Sequence, residues 1–170
     1  LSVGTVHDHR PDAPSPPEVM VTVFGAPHVD GFPELGRMDT NLVAFLACNG
    51  GEATDDQLID AVWNGRMVER STVWNRISKA RSVLGAHLPA REQGTSRVQL
   101  APTMGTDLDH FANLVRCADD ESSDEAIRLL AEALELVEGQ PFDAAGYDWA
   151  HQQQHHAHAC ELIESTAIRL

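Results

Sequence analysis

The succession of hydrophobic periods along this chain constrains its fold more than any single motif. Val19-Met20-Val21-Thr22-Val23-Phe24 is a β-branched run closed by Gly25 and reads as a strand, with a second short strand or turn around His28 to Phe32. Three helical patterns follow. Asn41 to Cys48 holds Leu42, Val43, Phe45 and Leu46 and stops at Asn49-Gly50-Gly51. Thr54-Asp55-Asp56-Gln57 is a capping-box signature, in which the Thr and Gln side chains satisfy free backbone N–H groups. Behind it Leu58, Ile59, Val62 and Trp63 form one apolar stripe that ends at Asn64-Gly65. The third pattern runs from about Glu69 to Leu84, with Val73, Ile77, Ala80 and Leu84 at helical spacing and Gly85 as its stop. From Leu88 to Ala101 the period becomes strand-like, with a turn at 91–96 and alternation in Arg97-Val98-Gln99-Leu100. A β-hairpin is predicted there.

After Pro102 and Gly105 the pattern is helical to the end. Thr106 caps a helix carrying Leu108, Phe111, Leu114 and Val115. Ser122-Ser123-Asp124-Glu125 starts a second, with Ile127, Leu130, Leu134 and Val137 inside and Gly139-Gln140-Pro141 as its stop. A third runs from about Tyr147, with Trp149, Cys160, Ile163, Ala167 and Leu170 on one face. Short connections between such helices predict an antiparallel, tetratricopeptide-like array, whose members need their neighbours for stability. Residues 1–17 carry Pro11, Pro14, Pro16 and Pro17 with little apolar content, and read as a disordered linker. The chain opens on Leu and reads as a piece of something longer. The division is therefore 1–17 linker, 18–104 first domain and 105–170 helical domain, in a mainly α fold with small β-hairpins.

Charge sharpens the functional question. Lys and Arg number 12 against 26 Asp and Glu, a formal net charge of -14, which by itself argues against a phosphate-bearing partner. The cations are not spread evenly. Arg66, Arg70, Arg76, Lys79, Arg81, Arg91 and Arg97 lie within residues 61–100 beside only Glu69 and Glu92, giving that segment a net +5 between two acidic flanks. Hydrophobic residues are 42% of the chain, with no apolar run long enough to span a membrane and no cationic leader. Three cysteines without Cys-x-x-Cys spacing argue against a disulfide framework or zinc ribbon and fit a reducing cytosol.

Strand, helix, helix, helix, hairpin is the order of a winged helix-turn-helix domain. There a braced third helix enters the DNA major groove and the hairpin reaches the backbone. Projected at 100° per residue, the 69–84 helix turns Val73, Ile77, Ala80 and Leu84 to the core and Ser71, Asn75, Ser78, Lys79 and Ser82 outward. Arg70, Trp74, Arg76 and Arg81 flank that face. Short hydrogen-bonding groups between long cations suit base reading between two phosphate strands. Asn75 is the base-reading candidate, Arg76, Lys79 and Arg81 the phosphate contacts, and Arg91 and Arg97 the wing contacts. A solvated amphipathic helix is the alternative for the same residues.

These residues also carry a resemblance. The stretch from Gly51 to Trp63 resembles the second helix of the antibiotic regulatory protein (SARP) type of transcriptional activator. Arg70-Ser71-Thr72-Val73 and Ile77-Ser78-Lys79-Ala80-Arg81-Ser82-Val83-Leu84-Gly85 resemble that family's recognition helix. Downstream, Asp107-Leu108-Asp109-His110-Phe111 is similar to the start of its bacterial transcriptional activator (BTAD) domain. Ala126 to Leu136, Gly139-Gln140-Pro141-Phe142 and Tyr147-Asp148-Trp149-Ala150 continue in step. The likeness covers about residues 19 to 170. It implies an OmpR-like winged helix that binds double-stranded DNA and recruits RNA polymerase, then a helical part for homodimerisation or a regulatory partner. It also resembles C-terminal modules of larger actinobacterial proteins with membrane segments and LysM domains, implying a cytoplasmic module, without membrane contact of its own. Two departures stand out: the helical part is short for the family, and Arg37 is followed by Met38-Asp39-Thr40 where basic residues are usual, which lowers the expected affinity for DNA.

Other features point elsewhere or nowhere. His151, His155, His156 and His158 crowd the last helix, and His151 and His155 share a face at metal-ligand spacing. No carboxylate or cysteine completes a set there, since Cys160 projects to the core; a solvated Gln- and His-rich face is the plainer reading. His7-Asp8-His9 lies in the linker. No phosphate loop, dinucleotide fingerprint or His-Glu-x-x-His occurs, and Asp55-Asp56 and Asp119-Asp120 suit helix starts. No catalytic residue, metal or cofactor is expected. The competing reading is a winged-helix protein-interaction module that no longer binds DNA, and a histidine-based metal sensor comes third.

Overall fold

The structure, a computed structural model, describes residues 14–91 and 93–170. Most of the expected linker, with His7-Asp8-His9, and Glu92 in the expected turn lie outside those residues. The fold is mainly helical with two small sheets. β1 (Val19–Thr22) is flanked by β2 (His28–Val29), antiparallel, and β5 (Met104–Thr106), parallel, with Val21 opposite Val29 on one side and Thr106 on the other. β3 (Glu52–Thr54) and β4 (Arg97–Gln99) make an antiparallel pair with Ala53 opposite Val98. Between and after the strands come α1 (Arg37–Cys48), α2 (Asp55–Val62), α3 (Arg70–Leu84), α4 (Asp107–Ala118), α5 (Ser123–Glu135), α6 (Asp148–Gln152) and α7 (His155–Arg169). No helix of the described residues is long and apolar enough to cross a membrane.

Local sequence accounts for the first helices. Thr54 accepts from Gln57 N while the Gln57 side chain accepts from Thr54 N, so α2 begins in a complete capping box. In α3, Val73, Ile77, Ala80 and Leu84 are buried, as the period predicts, and Gly85 ends the helix at φ +59, a conformation that costs a side chain far more than glycine.

The expected hairpin is corrected. β4 pairs not with the segment before its turn but with β3, two helices back in the chain. The reason lies in residues 88 and 89: Pro89 has no N–H, Leu88 N bonds Gly85 O, and Arg81 donates to the carbonyls of Leu88 (3.1 Å) and Pro89 (3.3 Å). Neither of these two residues has a backbone N–H left for a ladder, and both carbonyls already accept from Arg81. The expected single helix from Tyr147 is also corrected, since Gln154 at φ +64 separates α6 from α7. Neither glycine nor proline stands at the break. Trp149 sets it, buried edge-on to Phe45 (5.1 Å) and Phe142 (5.7 Å) with its indole N–H on Asn41 Oδ1 at 2.8 Å. Ile127, Ala167 and Leu170, expected inside, are exposed; Ala159 and Thr166 are the buried residues of α7.

The chain on either side of residue 104 shares one hydrophobic cluster, and the 104/105 boundary falls within β5. The segment after β1 is held from two directions. The Asp107 carboxylate accepts from the backbone N–H of Val23 (2.9 and 3.0 Å), Phe24 (2.9 Å) and Leu108 (2.9 Å). The carbonyls of Val23, Phe24 and Gly25 accept from Phe142, Glu138, Gly139 and Asp143.

Candidate nucleic-acid interface

The face of α3 opposite its buried stripe carries Ser71, Asn75, Ser78, Lys79 and Ser82, all exposed. Asn75, Ser78 and the Lys79 ammonium make no hydrogen bond or ion pair among the described residues. Ser71 donates to Glu69 at 3.3 Å, and Ser82 to the Lys79 carbonyl at 2.6 Å. Helical spacing thus delivers the short polar strip that the projection predicts.

The long cations beside it are engaged. Arg70 meets Asp56 at 3.3 Å on the surface. Arg76 lies 3.5 Å from Asp39 of α1, an ion pair without hydrogen-bond geometry, since Asp39 Oδ1 is buried and accepts none. Arg81 spends its guanidinium on the two carbonyls at 88 and 89, and so fixes the loop that leads to β4. Arg91 binds Asp55 through both of its terminal nitrogens, one at 3.1 Å from Oδ2, and Trp74 donates its indole N–H to the same Oδ2 at 3.1 Å. The Arg91 guanidinium sits 5.9 Å from the half-exposed Trp74 ring, within cation–π range. Arg97 pairs with Glu52 across the β3–β4 ladder, where Gln99 also donates to Glu52 at 2.9 Å.

Electrostatically the segment is quieter than its count of cations. Burial opposes ionisation of Asp55, but the hydrogen bonds from Arg91 and Trp74 and the nearby guanidiniums of Arg91 and Arg70 hold its carboxyl below the usual value. Glu52 is likewise lowered, by the Gln99 hydrogen bond first and by Arg97. A cavity of about 350 Å³ between α3 and the loop after it is lined by Trp74, Ile77, Ser78, Arg81, Arg91, Gln93 and Thr95, so seven residues from two elements meet beside the polar strip.

All ten candidate residues therefore lie on α3, on the loop after it or on β4. Asp39, Glu52, Asp55 and Asp56 were missed as members of this surface. Their pairings span 14 to 45 positions or cross from α1 to α3, and no local pattern shows such distances. The histidine cluster is resolved differently. His151 and His156 rings stack at 4.3 Å, His155 packs edge-on to Trp149, and His156 lies 3.9 Å from Cys160, which is only partly buried. No group of three or more His, Cys, Asp or Glu able to hold a metal occurs among the described residues. Neither protein-family models nor curated protein sequences give a match to the chain.

Proposed function

We propose that residues 18–104 are a winged-helix DNA-binding domain, with α3 as recognition helix and the segment of about 88–101 as wing, and that α4 to α7 form a tetratricopeptide-like regulatory part. The observation carrying this reading is the α3 surface. A strip of Asn75, Ser78 and Lys79, without partners among the described residues, is bordered on both sides by arginines, on a helix otherwise anchored by four buried side chains. Asn and Ser reach base edges, while Arg and Lys neutralise phosphates. The SARP-type resemblance of the same residues points the same way. The module then acts in the cytoplasm on double-stranded DNA, with RNA polymerase or a second copy as protein partners.

One observation favours the second reading, a protein-interaction module of the same fold. Arg70, Arg76, Arg91 and Arg97 each face a carboxylate of this chain, so phosphate must displace an existing partner. Fluorescence anisotropy with random and genomic duplexes at 50 and 200 mM salt separates the two. A DNA-binding module binds at the lower salt and weakens steeply at the higher. Arg76→Ala with Lys79→Ala then flattens that salt dependence by about one unit of log–log slope for each phosphate left without its cation. Absence of binding to every duplex at the lower salt sinks the DNA reading and leaves the interaction module.

A further inference from the structure

Away from α3, a cavity of about 550 Å³ lies where the 27–40 segment meets residues 144–147, a volume typical of a small-molecule site. Its apolar wall includes Phe32 and the ring of Tyr147. Its polar lining residues are Arg37, Thr40, His28, Asp30 and Tyr147. Arg37 has no ion pair and the Tyr147 hydroxyl no hydrogen bond among the described residues, although the Tyr147 ring is buried. The lining carboxylate is already engaged: Asp30 accepts from Thr22 Oγ1 at 3.4 Å and lies 3.1 Å from His28 Nε2. In a chain rich in acids, an arginine without an ion pair among the described residues thus shares the lining of a hollow with a tyrosine.

The far wall is held in place. Asn41 donates to Gly146 O at 2.8 Å and accepts from the Trp149 indole at 2.8 Å, tying the 144–149 segment to α1. Gly146 at φ +98 brings its Cα so close that an added Cβ would sit 3.4 Å from Asn41 Nδ2. Burial and the neighbouring Cys48 raise the Tyr147 phenol against the pull of Arg37, which leaves it a hydrogen-bond donor at neutral pH.

We propose that this cavity binds a small organic monocarboxylate with an aromatic or similarly apolar body, its carboxylate held by Arg37 with Tyr147 and Thr40 donating beside it. One unpaired cation matches one carboxylate; a dianion would leave a charge uncompensated in a molecule of net charge -14. The proposal stands apart from the DNA reading, since none of these residues belongs to the α3 surface.

Saturation-transfer NMR on the full chain, with phenylacetate as probe and phenethyl alcohol as its neutral counterpart, tests it. Phenylacetate is expected to bind at least about tenfold more tightly than the alcohol, and Arg37→Gln to remove that preference. Arg37 is exposed and has no ion pair among the described residues, so this variant keeps the fold. Tyr147→Phe should weaken the acid several-fold while leaving the alcohol unchanged. Equal binding of acid and alcohol, no binding of the acid at millimolar concentration, or undiminished binding by Arg37→Gln overturns the proposal. Displacement of phenylacetate by equimolar inorganic phosphate overturns it too.

Discussion

Two corners of this molecule share a local sequence and a local geometry. β3 ends in Thr54 and β5 in Thr106; each threonine is the N-cap of the next helix and each is followed by a buried aspartate, Asp55 or Asp107. Both aspartates stand where the positive end of the helix favours a carboxylate. Their surroundings then diverge. Asp55 faces Arg91 and Trp74 near the surface, and its carboxyl is held low. Among the described residues Asp107 faces no cation. Burial raises its carboxyl to about 6, against the pull of the backbone N–H groups of Phe24, Val23 and Leu108. One corner is thus an electrostatic clasp between side chains, and the other a seam between backbone segments. What a buried acid does is decided by what the rest of the chain brings to it, not by the turn in which it sits.

The sharpest way to break the comparison is to remove each carboxylate in turn. Asp107→Ala strands the amides of Val23 and Phe24 in a dry interior and should cost about 2–4 kcal/mol in urea unfolding at neutral pH. The pH dependence should come next, and with opposite signs. The raised carboxyl of Asp107 takes up a proton in the folded state between its unfolded value near 4 and about 6. Its contribution to stability is therefore full below pH 4 and lost as pH rises through 6, a swing of about 3 kcal/mol. The lowered carboxyl of Asp55 does the reverse, contributing above about pH 4 and losing that contribution as pH falls below it. Asp107→Asn should erase the first slope, and Asp55→Asn should leave it intact; urea midpoints from pH 3.5 to 7.5 check both.

Asp55→Ala should cost less than its counterpart, about 1–2 kcal/mol, because Trp74 is half-exposed and Arg91 partly so, and both can turn to water. It should also free Arg91, so that a DNA-binding module gains affinity at low salt while an interaction module shows no binding before or after. Smallest of all, Glu52→Gln should leave the urea midpoint within the scatter of surface substitutions, since Arg97 and Glu52 pair in solvent.

Much of the fold is legible in the sequence, and the line between what is and what is not is physical. Capping at Thr54 and Thr106, the stripe of α3 and the stop at Gly85 are determined within four or five residues, so periodicity finds them. β3 is only three residues long and is hidden between a glycine pair and the capping box. The alternation of 97–100 reads as a strand and forms one, but its partner lies 45 positions back, and a hairpin is the nearest guess. Helix α7 marks the same limit. Its inner face depends on how Trp149 anchors α6, and a projection that runs straight through Gln154 carries the period into the wrong register. At the candidate interface the cations are visible but their acids are not, because Asp39, Glu52 and Asp55 reach them only through the fold. The cavity at Arg37 is invisible for the same reason, its two walls being about a hundred positions apart.

The pairing of β1 has a consequence for synthesis from the N-terminus. The first strand is made first, yet its parallel neighbour is completed only at Thr106, its amide clasp at Asp107 and the bonds to its following carbonyls at Asp143. Until those residues leave the ribosome, β1 has β2 alone and offers an open, apolar edge of the kind that attracts other chains. A fragment ended at residue 104 would keep that nascent condition permanently, lacking most of β5 and all of the clasp. Expression of the N-terminal part alone should therefore extend at least through α4.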